Sequence, residues 1–389
     1  MRKELGVLPY GRQSIDNSDV LAVTRALRSL FLTQGPFVEE FEQALCMYTG
    51  AKYCVAVSNG TAALHLAVAA LGLKKGSSGV TSPITFLASA NALVYNGISP
   101  FFADIDPATI NMSLAALIRA IRKNTRVIIP VHFAGRPAAM KEISAFAARK
   151  KCFVIEDAAH AIGSCYPDGS RVGNCAFSDM TIFSFHPVKT ITTGEGGAIM
   201  TNDKKIYDRL RSLRSHGVVR DPALMTDNPG PWYHEMQELG FNYRLTDIQA
   251  ALGLSQLKKI DSFVVRRREI VARYNMAFKS IPWLRSVASD DKLCAYHLYV
   301  VLVDFKKLGI SRREFMGRLA AFGVGTQVHY IPVYRQPFYT RNFKISGKGF
   351  PQAERYYEGC ISLPLFPAMK DKDIRKVITA VIGFSKDVL

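Results

Sequence analysis

One lysine stands apart from the other basic residues. Lys189 lies in Phe183-Ser184-Phe185-His186-Pro187-Val188-Lys189-Thr190-Ile191-Thr192-Thr193-Gly194-Glu195-Gly196-Gly197, among apolar and small neighbours. An amine in such a partly dry setting has a lowered pKa and can form a Schiff base. The glycines beside it permit close backbone approach. A plain surface lysine is the competing reading. A second segment, Phe153-Val154-Ile155-Glu156-Asp157-Ala158-Ala159-His160, ends an apolar run on an acidic pair. A carboxylate there is costly to bury without a partner. The protonated ring nitrogen of a cofactor would supply one, and capping of the following segment is the alternative. His160 reads equally well as a core histidine. In the third segment, Val57-Ser58-Asn59-Gly60-Thr61-Ala62-Ala63-Leu64, small and polar residues turn an apolar run into a helix. Free N–H groups and the helix dipole make such a turn a phosphate cradle, although any helix N-cap uses the same residues. Together, cradle, carboxylate and lysine are the three anchors of pyridoxal phosphate. They hold its phosphate, its ring nitrogen and its aldehyde.

These residues follow short apolar runs that predict strands at 53–57, 100–103, 127–130, 153–156, 181–184 and 198–201. Helical patterns are predicted near 60–71, 84–96, 113–123 and 137–150. Such alternation implies an α/β fold with a mostly parallel sheet covered on both faces, and such sheets carry their chemistry at the carboxyl ends of strands. After residue 245 two helical segments, 246–258 and 260–279, lead to a strand predicted at 297–303 and then to mixed patterns. The expected organisation is an N-terminal arm over residues 1–13, a large cofactor-binding domain over 14–245 and a smaller α+β domain over 246–389. Residues 221–233, rich in Pro, Gly and Asp, read as a mobile surface loop.

Composition narrows the function classes. The 389 residues are 48% hydrophobic and 21% charged, an ordinary globular balance. The net charge of +18 is spread along the chain. A pure basic run, Arg266-Arg267-Arg268, reads as the solvated face of an amphipathic helix. No zinc-finger spacing or aromatic RNA-binding signature accompanies it, so nucleic acid is not the expected partner and no metal is expected. A positive field suits an anionic substrate such as a nucleotide diphosphate. Seven scattered cysteines without a CxxC pair, and no signal-like or membrane-length apolar stretch, predict a cytoplasmic protein.

The motifs, taken in order, resemble the DegT/StrS family of sugar aminotransferases. The residues that carry the likeness are Leu32-Thr33-Gln34-Gly35, Ser58 to Leu64, Ser82-Pro83-Ile84-Thr85-Phe86, Ile155 to Ala161 and Ser184 to Gly197. They continue in Arg214-Ser215-His216-Gly217, Asn242-Tyr243-Arg244 and Ser362-Leu363-Pro364-Leu365-Phe366. The resemblance implies the aspartate-aminotransferase-type fold (fold type I of pyridoxal-phosphate enzymes). It implies that Lys189 bonds to the cofactor and shuttles protons, and that Asp157 pairs with the pyridinium nitrogen. It further implies that Gly60, Thr61 and Ser184 contact the phosphate, that Phe86 stacks on the ring and that His160 sits on its hydroxyl side. Phe86 taken by itself reads as core. Asn242 and Arg244 would reach the phosphate of a neighbouring subunit, making a homodimer with shared sites. By itself Arg244 could instead pair with Asp247, an i,i+3 neighbour. One subgroup has histidine in place of the lysine and dehydrates its sugar, so Lys189 favours transamination.

A finer likeness, in Thr326 to Tyr334 with the Leu32–Gly35 and Ser184–Gly197 stretches, is to the pseudaminic-acid branch of the family. That branch aminates carbon 4 of a UDP-linked 4-keto-6-deoxy-N-acetylhexosamine, with glutamate as donor. Tyr10, Leu32, Thr33, Asn59, Asn242, His329, Tyr330 and Tyr334 would then line the sugar side. Read without the likeness, Tyr10 is an arm residue and His329 a strand-end polar residue. Loop 221–233 has no clear counterpart in the family. Another UDP- or dTDP-linked keto sugar, of 3-keto or perosamine type, is an alternative substrate. A dehydratase using pyridoxamine phosphate is an alternative activity. A non-enzymatic regulator is opposed by the intact Lys189, Asp157 and cradle.

Overall fold

A computed structural model describes residues 6–288 and 291–384 of the chain. Of the N-terminal arm, residues 1–5 lie outside the described part. Seven short strands make the large sheet: β1 (Tyr53–Val57), β2 (Ser78–Thr81), β3 (Ser99–Phe102), β4 (Thr125–Ile129), β5 (Phe153–Asp157), β6 (Met180–Ser184) and β7 (Gly197–Thr201). Their order is β1-β7-β6-β5-β4-β2-β3, and every pair is parallel except those of β7 with β1 and β6. Side chains alternate across the sheet. Val55, Val57, Ile155 and Ile182 pack under helices Gly60–Ala70 and Ala88–Tyr95. Cys54, Ala56 and Val154 face the opposite layer, with helices Pro36–Thr49, Met140–Lys150 and Asp247–Leu257. Both faces are thus apolar, as a parallel sheet requires.

Strand β2 carries no sequence signal, since Ser78-Gly79-Val80-Thr81 holds one large apolar residue. Its glycine is a packing requirement: a Cβ on Gly79 would lie 2.5 Å from Leu93 Cδ2 and 2.9 Å from Val127 Cγ1. Loop 221–233 is bounded by a two-stranded hairpin, β8 (Val218–Val219) with β9 (Glu235–Met236). The Glu235 carboxylate gathers it by accepting from Thr226 N and Asp227 N, each 2.9 Å away, and from Tyr233 Oη at 3.1 Å.

A second, antiparallel sheet has the order β10 (Leu284–Ser286), β11 (Tyr299–Val303), β12 (Cys360–Leu363). Its core joins Tyr299, Val301 and Ile361 to Phe315, Ile374 and Val377. Helix Ile260–Phe278 links the two cores: Ile260 and Val264 belong to the first, Ile270 and Tyr274 to the second. The arm lies on the second core. Leu8 N donates to Gly323 O at 2.9 Å, and Tyr10 O accepts from Leu365 N at 3.0 Å.

The expected solvated face at Arg266–Arg268 is corrected by this helix. Arg267 is 0% exposed, because helical spacing places it in line with Ile260, Val264, Ile270 and Tyr274. Its Nη1 donates to the carbonyls of Tyr296 (3.2 Å), His297 (3.2 Å) and Leu365 (3.0 Å). Burial pushes the guanidinium down to about 10, so it remains charged at neutral pH. Among the described residues no helix is long and apolar enough to cross a membrane, and no His, Cys, Asp and Glu group is placed to hold a metal. All seven cysteines are free.

Arg267 gives the first prediction. Arg267→Ala leaves a cavity and three carbonyls without their donor, and is expected to cost roughly 3 kcal/mol or more. Arg267→Met, which keeps most of the volume, is expected to cost about 1–2 kcal/mol. Urea unfolding checks both. Equal stabilities for the three proteins would show that the carbonyl contacts contribute nothing.

Candidate active site

The carboxyl ends of β1, β5 and β6 open onto a cavity of about 1030 Å³. Strand β1 runs into helix Gly60–Ala70, whose N-cap is Asn59; its Oδ1 accepts from Ala62 N at 2.8 Å. Asn59 therefore serves as a helix cap while also lining the cavity. The N–H groups of Gly60 and Thr61 come earlier in the first turn and have no partner among the described residues. Ser184, at the end of β6, faces them. A Cβ on Gly60 would stand 2.8 Å from Ser184 Cβ, so only glycine permits this approach. Gly197 is required for the same reason, since a Cβ there would meet Asn59 O at 2.5 Å. Two free N–H groups, a hydroxyl and a helix N-terminus make a cradle for a phosphate.

Asp157 ends β5 on the cavity wall and is buried. Ser89 Oγ donates to its Oδ2 at 2.5 Å and Ala159 N to its Oδ1 at 3.2 Å. Ser89 in turn bonds Thr85 Oγ1 at 2.7 Å. Among the described residues no cation pairs with Asp157, so its charge is left to a cationic ligand group such as a pyridinium N–H. Lys189 projects from the β6–β7 connection, which is tied at its base by Phe185 N to Gly196 O (2.8 Å) and Thr193 N to Phe185 O (3.0 Å). Burial pushes the Lys189 amine down to about 8, while Asp157 pulls the other way. At neutral pH a useful share of the amine is unprotonated and nucleophilic.

Phe86 lines the same cavity and is 57% exposed, which leaves its ring face open to a planar ligand. Tyr10, His160, His329 and Tyr330 line it as well. Tyr330 Oη lies 3.1 Å from His160 Nε2. His329 Nδ1 is 2.8 Å from Ser362 Oγ, its ring is 5.2 Å from that of Tyr10, and burial, aided by the Lys189 charge, pushes it down to about 3. These residues fit pyridoxal phosphate: a cradle for the phosphate, a carboxylate for the ring nitrogen, an amine for the aldehyde and an aromatic wall for the ring.

Five expected residues do not line this cavity. Tyr334 is buried in an apolar cluster with Phe102 and Tyr339, its ring 4.6 Å from Phe350 and its hydroxyl 2.7 Å from Glu354 Oε1. Leu32 O accepts from Asp247 N at 3.0 Å, and Thr33 pairs with Thr246, which places both outside the wall. Asn242 and Arg244 flank Tyr243 in an extended segment beside the end of β1, where Tyr243 O accepts from Ser58 N at 2.8 Å. Tyr243 turns into the cavity and its neighbours do not. The suggested Arg244–Asp247 pair is absent among the described residues. Asp247 instead caps helix Pro36–Thr49, accepting from Gly35 N (2.8 Å) and Phe37 N (3.0 Å). Conversely, the sequence reading missed Thr85, Ser89, Tyr243 and His297. Thr85 and Ser89 sit one helical turn apart beside Phe86, a signal that was available. His297 comes from the second core and has no local signal.

Residues 13–382 match the DegT/DnrJ/EryC1/StrS aminotransferase family. A Bacillus subtilis relative, the spore coat polysaccharide biosynthesis protein SpsC, is 40% identical over 383 residues, covering 98% of each chain. The structure superposes on Helicobacter pylori PseC, an aminotransferase involved in the biosynthesis of pseudoaminic acid, with a TM-score of 0.91. The two share 30% identity over 98% of this chain and 100% of that one. A putative sugar aminotransferase from Streptococcus pneumoniae, solved in its PLP form, gives a TM-score of 0.88 at 28% identity over 98% and 100% of the two chains. The match spans nearly the whole chain, and the protein belongs to the DegT/DnrJ/EryC1/StrS aminotransferase family as a pyridoxal-phosphate-dependent sugar aminotransferase.

Proposed function

We propose that this enzyme moves an amino group from glutamate to carbon 4 of a UDP-linked 4-keto-6-deoxy-N-acetylhexosamine, on sites built from two copies of the chain. The observation that carries the reaction class is one cavity wall holding Lys189, Asp157 and the Gly60–Thr61–Ser184 cradle. The bound cofactor supplies an electrophilic carbon and an electron sink. Ser184 and the first turn of helix Gly60–Ala70 would hold its phosphate. Asp157, fixed by Ser89, would keep the ring nitrogen protonated. Lys189, freed during turnover, would take the proton from one face of the donor carbon and return it to the acceptor.

Support for the sugar comes from the likeness to PseC and from Tyr10, His329 and Tyr330, which line the same cavity as the cradle. The greater identity to SpsC favours, as a second reading, a keto sugar destined for a surface polysaccharide. Support for a shared site comes from charge. Lys189 is the one lysine or arginine lining the cavity among the described residues, although the chain carries +18 overall. A nucleotide diphosphate and the carboxylates of glutamate need more positive charge than that. Arg244 makes no ion pair among the described residues, and its fork suits phosphate oxygens. It does not line its own cavity, and a second chain could receive it.

Four outcomes test this reading. Lys189→Ala is expected to fold, to bind cofactor without covalent attachment and to lose turnover by at least about 10³-fold. In the wild type, covalent uptake of the cofactor by the apoenzyme should rise with pH to a midpoint of about 8. Asp157→Asn should move that midpoint lower, because the carboxylate stabilises the ammonium form. A midpoint near the ordinary lysine value would show that the amine is not desolvated. In mixed dimers, Lys189→Ala subunits and Asn242→Ala/Arg244→Ala subunits, each inactive alone, should regain activity together, since one of the two sites is then intact. Purified mixed dimers without activity would rule out the shared site. Finally, a panel of UDP- and dTDP-linked keto sugars offered with glutamate should give amination of the UDP N-acetyl sugar at carbon 4, with binding that weakens as salt rises. Exclusive use of dTDP sugars lacking the N-acetyl group overturns the substrate assignment and leaves the reaction class standing.

A further inference from the structure

His297 lies just before β11, on the side of the second core, yet its ring is 4.3 Å from that of His160 at an interplanar angle of 40°. The contact is tightly built. His297 N donates to Ala134 O at 2.8 Å, and its own carbonyl accepts from the buried Arg267. Gly135 leaves the room for this crossing, since a Cβ there would meet His160 O at 2.9 Å and His297 N at 3.1 Å. The Tyr330 ring lies beside His160, with centroids 6.1 Å apart and planes 18° from parallel. Both histidines are buried, and both line the cavity.

The hydrogen bonding of His160 leaves two arrangements. Its Nε2 meets Tyr330 Oη at 3.1 Å, and its Nδ1 is buried with no partner among the described residues. With the proton on Nδ1, a buried N–H donor would face nothing. With the proton on Nε2, the orphan is a lone pair, which proteins tolerate better than an orphan N–H. In the second arrangement His160 donates to the Tyr330 oxygen, and the tyrosine's own proton is free to point elsewhere. Tyr330 lines the cavity, and burial and then the Asp157 charge keep it protonated.

We propose that His297 is a positioning residue: packed on His160, it excludes water from Nδ1, fixes the Nε2–H tautomer and so aims the Tyr330 hydroxyl proton at an oxygen of whatever occupies the cavity. The proposal deepens the transaminase reading and rests on it. The groups facing His160 support a neutral ring. Lys189, His329 and His297 line the cavity with it, and so does Asp157, while Arg267 lies behind His297. Burial first, and then the charges of Lys189 and His329, push His160 well below the ordinary imidazole range. His297 is pushed down likewise, by burial, then His160 and Lys189.

The test uses ¹⁵N-histidine-labelled holoenzyme. Long-range ¹H–¹⁵N spectra, with His160→Asn for assignment, read the tautomer and titration of His160 directly. The wild type should show the neutral Nε2–H tautomer at and below the ordinary histidine midpoint. His297→Ala, or His297→Asn if the alanine variant does not fold, admits water. It should then give mixed tautomers, a titration near the ordinary midpoint, and a kcat lower by about tenfold or more with the acid limb moved to higher pH. His297→Phe restores the stacked ring and should restore both spectrum and pH profile. An Nδ1–H tautomer in the wild type, or the same tautomer and titration in all three proteins, overturns the proposal. Bleaching of the wild-type cofactor colour by glutamate, read on the same sample, tests the transaminase assignment separately.

Discussion

A carboxylate taken out of water at the end of a strand must be solvated by the protein or by a ligand. The large sheet presents both solutions on adjacent residues. Glu156 points to one face and is met by His132 Nε2 at 2.7 Å, Tyr166 Oη at 2.6 Å, Ser178 Oγ at 2.5 Å and Thr181 Oγ1 at 3.1 Å. His132 Nδ1 already accepts from Ala138 N at 3.0 Å, so its Nε2 must carry the proton given to Glu156. Burial raises the Glu156 pKa, but the bonds from His132, Ser178 and Tyr166 outweigh it, and the carboxyl is held below its usual range. Asp157 points to the other face, where Ser89 and Ala159 are its donors. One carboxylate is complete within the fold, and the other is open to a cation.

That asymmetry constrains Lys189. A direct ion pair with Asp157 would satisfy both groups and end the chemistry, because the amine would stay charged. The chain avoids it by mounting the two on different elements. Asp157 is fixed by β5, and Lys189 by the short β6–β7 connection, whose ends are held together by the Phe185–Gly196 backbone bond. Their charges still sense one another, but no ion pair forms among the described residues. The antiparallel return of β7 makes this possible. It brings Gly197 back against the turn at Asn59 and Gly60, so the amine-bearing loop and the phosphate cradle border the same cavity.

The pattern of apolar runs made most of the large sheet legible, because strands buried on both faces read as short apolar runs and observed boundaries differ from the expected ones by at most two residues. Strand β2 escaped because packing there selects a small residue, Gly79, over an apolar one. Arg267 was misread because charge composition was weighed ahead of helical phase, and phase alone places it in line with Ile260 and Tyr274. At the cavity, residues following strands could be found by rule. His297 could not, since it acts across a tertiary contact, on His160. Tyr334 shows the opposite failure. Its motif includes wall residues, yet a packed aromatic cluster claims its own side chain.

Strand alternation also bears on where positive charge can reach the ligand. Ends of parallel strands offer backbone N–H groups and small side chains, which suit a phosphate but leave little room for arginine. The segment beside β1 handles this as β5 handles its two carboxylates. Tyr243 turns inward and its hydroxyl meets His65 Nδ1 at 3.1 Å, while Asn242 and Arg244, one residue to either side, are turned away. Moving either of them inward would need a one-residue register slip, which would turn Tyr243 out and break the Ser58–Tyr243 backbone bond. The chain therefore keeps its arginine off its own wall by the same rule that keeps Asp157 on it. In the two-chain site proposed above, a cation for the anionic ligand would then come from the second chain without any rearrangement of the first.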